Sequence, residues 1–135
     1  MAGELILIVD DTPTNLTLAS FLLKAAGYRV EGAVTATEGI EKARASLPAA
    51  ILMDVVLPGM DGLTATRRLK EDPTTAGIPV VALTARVMLG DRERCLEAGC
   101  DGYIPKPIDA KHFARTVATF LGARRPSPPS SRGTE

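Results

Sequence analysis

The 135-residue chain has no excess of charge of either sign, with 16 Lys and Arg against 16 Asp and Glu. A balanced chain lacks the basic surface by which proteins grip nucleic-acid phosphates or anionic lipid, so neither is expected as a direct partner. No window approaches the roughly 18 consecutive apolar residues of a membrane span. The N-terminus lacks the basic, apolar and cleavage-site order of a secretory leader, so the expected location is the cytoplasm. Cysteine is scarce: Cys95 and Cys100 are too few and too oddly spaced for a zinc site, and in a reducing compartment they read as structural thiols. Histidine is scarcer still. His112 stands alone and reads as a surface residue of the last helix, not a phosphodonor or metal ligand.

What is present fits one globular domain: 45% of residues are apolar and 24% charged, over a length that builds one core. Three short apolar runs, "LILIV" (5–9), "AAILM" (49–53) and "PVVAL" (79–83), suit strands covered on both faces. Two weaker strands, "YRVEGAV" and "DGYIPK", look like edges, the first by its alternation with Arg29 and Glu31 and the second by its proline.

Amphipathic segments lie between them. Thr12 and Pro13 start the first helix, Leu16, Ala19, Leu23 and Ala26 form its inner stripe, and Gly27 stops it. Thr35 and Glu38 have capping-box spacing for the second. "GLTATRRLKED", opened by Asp61 as a cap, is the third, and "GDRERCLEAG" is the fourth, closed by Gly99. Asp109 can cap the fifth, with Phe113, Val117 and Leu121 inward. Alternating strands and helices predict an α/β doubly wound (βα)5 fold, a five-stranded parallel sheet with helices on both faces, and with strands two and five as edges the simplest order is 2-1-3-4-5. The domain is expected over 1–122. The Pro- and Ser-rich segment 123–135, with Arg124, Arg125 and Arg132, is expected to be a flexible tail.

In such a sheet ligands bind at the carboxyl ends of the strands, beside the switch point between strands one and three. Strand one ends in Asp10 and Asp11, and strand three ends in Asp54. Two charges ~4 Å apart in a partly buried site repel by about 4 kcal/mol at an effective dielectric of 20, so the three must share a cation or partly protonate. Oxygen ligands with open positions suit Mg²⁺. Thr84 and Lys106 end strands four and five. A carboxylate, a metal pocket, a hydroxyl and an ammonium together suit phosphoryl transfer to Asp54. Taken singly, Asp54 could cap a turn, Thr84 a helix, and Lys106 could be an ordinary edge-strand lysine. Their placement at neighbouring strand ends is what favours the chemistry.

The segments "ILIVDDTPTN", "ILMDVVLPGMDG", "PVVALTA" and "GYIPKPI", in this order, resemble the receiver domains of two-component response regulators, the CheY-like family, and in particular single-domain receivers of the DivK type. The likeness covers roughly 4–121. It implies a flavodoxin-like fold and a phospho-accepting switch, not a turnover enzyme. By resemblance Asp54 is the phospho-acceptor, Asp11 a direct Mg²⁺ ligand and Asp10 the acid that holds the ion through water. The Val56 backbone carbonyl is the third protein ligand, Thr84 and Lys106 bind the phosphoryl group, and Tyr103 is the aromatic switch residue. The Lys106–Pro107 bond is often cis in this family. The implied partners are a histidine kinase or histidine phosphotransfer protein, and a downstream target on the face of helix 4, strand 5 and helix 5. One departure is the apolar Val56 where receivers commonly carry a polar residue; with Ala85 and Arg86 it borders the path of the attacking water, so the lifetime of the phosphorylated state does not follow from the resemblance.

Three other readings stay open. A haloacid-dehalogenase-type phosphatase shares the Asp nucleophile and Mg²⁺ but wants a second Asp where Val56 stands. An FMN carrier wants a Ser/Thr/Gly-rich phosphate loop where Asp10 and Asp11 stand. A receiver-like module that is never phosphorylated would keep the same text.

Overall fold

In the computed structural model, which describes residues 3–84, 91–106 and 108–123, five strands alternate with five helices. The order is β1 (Leu5–Val9), α1 (Pro13–Ala25), β2 (Arg29–Ala33), α2 (Ala36–Ser46), β3 (Ala50–Asp54), α3 (Gly62–Glu71), β4 (Val80–Thr84), α4 (Asp91–Glu97), β5 (Gly102–Pro105) and α5 (Phe113–Ala123). All pairings are parallel, as the alternation predicts, and the strand order is 2-1-3-4-5, with the two weaker strands at the edges as expected. Every residue of β3 and β4 is buried. These central strands have no polar face because helices cover both sides.

Side-chain alternation sends successive strand residues to opposite faces. Ile6, Ile8, Leu52, Val81 and Leu83 pack with Ala19 and Leu23 of α1 and Phe113 and Val117 of α5. Leu7, Val9, Ile51, Met53 and Val80 pack under α2 and α3. Ala82 and the half-buried Tyr103 continue that face under α4, with Leu63, Cys95, Ala98 and Cys100. Each large aliphatic side chain so buried contributes about 1.5–3 kcal/mol.

Several local expectations shift. Thr12 is the N-cap of α1, with Pro13 following, but its side chain makes no capping bond; the Asp10 carboxylate accepts the Thr12 N–H instead, at 2.9 Å. Ala26 is exposed at the helix end, outside the inner stripe expected of it. At α2, Thr35 Oγ1 accepts the Glu38 N–H at 3.1 Å, but Glu38 returns to the Val34 N–H, at 2.9 Å, one residue before the cap. β2 is half-buried along its middle rather than alternating, because α1 lies over it: Leu16 is 3.2 Å from where a side chain on Gly32 would start. Asp61 caps α3 as expected, accepting the Thr64 N–H at 2.8 Å. α5 runs to Ala123, one residue past the boundary expected at 122. Ala85, Arg86, Pro107 with its peptide bond, and the tail from Arg124 onward lie outside the described residues.

Candidate functional site

The carboxyl ends of β1, β3, β4 and β5 meet at one crevice. Asp10 is the first residue beyond β1. Its N–H donates to the Ala33 carbonyl of β2 at 3.0 Å, and its Oδ1 is held by the Thr12 N–H. The chain thus leaves the sheet with this carboxylate pinned from both sides, 1% exposed. Asp54 closes β3. Its Oδ1 accepts the Val56 N–H at 3.0 Å, a local turn typical of Asp, and its Oδ2 accepts from Lys106 Nζ at 2.9 Å. Lys106 is delivered by its own backbone, whose N–H donates to the Thr84 carbonyl at 2.7 Å. The same ammonium lies 3.1 Å from Asp10 Oδ2.

Asp10, Asp11 and Asp54 each bring a carboxylate oxygen within 4.8 Å of the others. Asp11 is exposed, whereas Asp54 and Thr84 are buried. The strand ends named from the sequence therefore come together: Asp10, Asp11, Asp54 and Lys106 in direct contact or near it, and Thr84 beside them through the Lys106 backbone. Val56 contributes its backbone N–H here, while the residue is 73% exposed. Tyr103 sits on β5 within the cluster under α4, not in the crevice. His112 is exposed at the start of α5, its Nδ1 2.8 Å from Asp109 Oδ2, as a surface residue should be.

Burial drives the Asp54 carboxyl above its ordinary value, against the opposing pull of Lys106 and the Val56 N–H. Burial alone would lower Lys106, but its hydrogen bond to Asp54 and its ion pair with Asp10 outweigh that, and its value is raised. The ammonium is therefore charged, and it answers part of the repulsion expected at this site. One cation does not balance three carboxylates. Moreover, the Lys106–Asp10 contact is an ion pair without hydrogen-bond geometry, so Asp10 Oδ2 is a buried oxygen with no hydrogen-bond donor. An excess of negative charge and an orphaned oxygen in an all-oxygen cluster fit a hard divalent cation such as Mg²⁺.

Gly62 is a site residue that sequence reasoning took only as the start of a helix. A Cβ there would overlap the backbone carbonyl of Asp54, and the Gly62 N–H donates to the Val55 carbonyl at 3.0 Å. The N-terminus of α3 thus rests directly on the end of β3. The signal available was a glycine directly after a cap, where ordinary helix formers would do better unless a backbone approaches closely. Beside the crevice lies a cavity of about 290 Å³ lined by Val55, Val56, Asp61, Thr84, Arg94 and Cys95 among others.

Residues 6–118 match the family described as the response regulator receiver domain. The chain is 40% identical over 117 residues to the polar-differentiation response regulator DivK of Brucella ovis, a match covering 87% of this chain and 95% of that one. Among solved structures, it is similar to a putative response regulator from Chloroflexus aurantiacus, with a TM-score of 0.84, 32% identity, and 89% and 98% of the two chains covered. It is also similar to the receiver domain of a sensor histidine kinase from Pseudomonas aeruginosa, with a TM-score of 0.82, 37% identity, and 90% and 99% covered. That neighbour holds a magnesium ion coordinated in its active-site cleft.

Proposed function

The chain belongs to the response regulator receiver family, and on that premise we propose that Asp54 accepts a phosphoryl group from the histidine of a sensor kinase or phosphotransfer protein. The observation that carries this reading is the convergence of Asp10, Asp11, Asp54 and Lys106 on one crevice, with Asp10 and Asp54 sharing the Lys106 ammonium. An Asp54 carboxylate oxygen attacks phosphorus while the bond to the donor nitrogen breaks. Lys106 neutralises one phosphoryl oxygen and the Thr84 hydroxyl donates to another. Asp10 and Asp11, with Asp54 and the Val56 carbonyl, would hold Mg²⁺. Bound there, the ion supplies positive charge between the anionic attacker and the anionic phosphoryl group.

The output in this reading is a change in the face built from α4, β5 and α5. Thr84 turns toward the phosphoryl group and Tyr103 moves into the space released, presenting a new surface to a target protein. Swinging the population from 1:99 to 99:1 requires about 5.5 kcal/mol of preference. One or two charge-assisted bonds, at roughly 1.5–3 kcal/mol each, provide part of it, and target binding provides the remainder. The protein acts as a switch rather than a turnover phosphatase, since Val56 stands where a phosphatase would place its second acid. No helix among the described residues is long and apolar enough to cross a membrane.

Incubation with acetyl phosphate and Mg²⁺, followed by intact mass measurement, tests the proposal. A gain of one phosphoryl mass that disappears in Asp54→Asn is expected. Absence of that gain, or sustained hydrolysis of phosphate monoesters, would contradict it.

A further inference from the structure

A second chemically distinctive pair lies outside the carboxylate cluster, at the junction of α4 and β5. The Gly99 N–H donates to the Leu96 carbonyl at 3.0 Å, and the Cys100 N–H donates to the Cys95 carbonyl at 3.0 Å, with Gly99 at φ +105°. These two bonds and a left-handed glycine constitute a Schellman cap, with Cys95 at C3 and Cys100 at C″. In that motif the C3 and C″ side chains touch, and the contact is normally between two hydrophobes. Here those positions hold two thiols of one buried cluster, with Cys95 near enough to help raise the Cys100 thiol and Cys100 Sγ also 4.0 Å from Thr66 Oγ1. Neither is in a disulfide, and both are buried.

We propose that Cys95 and Cys100 are a modification site, a dithiol that a small hydroperoxide closes to an intramolecular disulfide. The capping bonds hold the two backbones at the close approach a disulfide needs. Access is selective. Cys95 borders the cavity of about 290 Å³ beside Thr84, which admits a peroxide but not a tripeptide disulfide. A Cys95 sulfur electron pair attacks one peroxide oxygen and the O–O bond breaks. The leaving hydroxide takes up the thiol proton as water, leaving a sulfenic acid. The Cys100 sulfur then attacks the Cys95 sulfur and displaces hydroxide, which leaves as water with the Cys100 proton. Two thiols and one peroxide thus give one disulfide and two waters. Burial pushes the Cys100 thiol up to about 11, so it is almost wholly protonated at neutral pH; the proximity imposed by the cap carries the second, intramolecular step, and the site is slower than sensors built on low-pKa thiols.

The bridge ties the last turn of α4 to the start of β5. Both cysteines share a cluster with Tyr103, Ala82 and Leu63, so oxidation fixes the packing beneath the face assigned to output. The chemistry itself is independent of phosphorylation at Asp54.

Hydrogen peroxide applied to the native, reduced, full-length protein tests this. Both cysteines fall in one tryptic peptide beginning at Cys95. After treatment and blocking of residual thiols, that peptide is expected to lose two hydrogen masses and to carry no alkyl label, with reversal by dithiothreitol. Cys95→Ala and Cys100→Ala should each keep a single cysteine that forms no such species. The wild-type measurement stands even if a variant folds poorly. Two alkylatable thiols persisting in native protein at a peroxide dose that closes the pair in urea would overturn the proposal. So would disulfide-linked dimers or separate sulfinic acids as the main products.

Discussion

Replacing Lys106 by Met removes, among the described residues, the one cation touching the two buried carboxylates, and leaves a side chain of similar reach. In the wild type the ammonium lies 2.9 Å from Asp54 and 3.1 Å from Asp10. At about 3 Å and an effective dielectric of about 20, each contact carries roughly 5 kcal/mol of Coulomb attraction before desolvation is counted. Without Lys106, Asp10 and Asp54 face each other with carboxylate oxygens no more than 4.8 Å apart, a repulsion of about 3.5 kcal/mol or more on the same footing. The protein relieves this by protonating a carboxyl, which caps the loss. Removing one partner of a buried pair costs about 3–5 kcal/mol in general, and that is the penalty expected at neutral pH in EDTA. Its pH dependence has a definite sign. In the variant, burial and like charge raise a folded-state carboxyl above its unfolded value. Such a group contributes stability that is fully present below the unfolded value and is lost as pH rises through the folded one. Urea titrations should therefore show the gap between wild type and Lys106→Met widening from acid toward neutral pH. Mg²⁺ should restore more stability to the variant than it adds to the wild type. A gap below about 1 kcal/mol at neutral pH, or one that does not change with pH, would refute the electrostatic account of the crevice.

Gly62→Ala places a methyl group against the Asp54 carbonyl; a loss of about 1–3 kcal/mol in urea unfolding is expected, with slower phosphorylation by acetyl phosphate, and a neutral result would mean that α3 does not rest on β3 as described. Asp61→Ala removes the α3 cap and should cost about 1 kcal/mol. The Thr64 N–H holds the Asp61 carboxyl below its ordinary value, so its contribution is present above the unfolded value and disappears as pH falls through the folded one. Thermal melts should show the two proteins converging in acid, and a constant difference would contradict the carboxylate's role.

The central strands were legible because a buried parallel strand is a short continuous apolar run: 5–9, 49–53 and 79–83 fall within one residue of β1, β3 and β4. Alternation with helices made the sheet parallel, the two weaker strands taken as edges gave its order, and the meeting of Asp10, Asp11, Asp54 and Lys106 followed from that order. What stayed hidden were contacts set by close backbone approach. Nothing in "DDTP" says that Asp10 receives the Thr12 N–H while the Thr12 side chain caps nothing, because that depends on how the chain leaves β1 beside Ala33. The half-burial of β2 depends on where Leu16 of α1 lands. Gly99 was readable as a helix stop, yet the pairing of Cys95 with Cys100 emerges only from the particular cap it forms. That Lys106 reaches two carboxylates at once depends on β5 lying beside β4 in the observed register.

Asp54 is the residue that must become the acyl phosphate. Treating the acetyl-phosphate-reacted protein with borohydride reduces an aspartyl phosphate to homoserine, and tandem mass spectrometry then reads the position. The account predicts homoserine at position 54 alone, dependent on Mg²⁺; homoserine at position 10 or 11, or none anywhere despite phosphoryl incorporation, would contradict it.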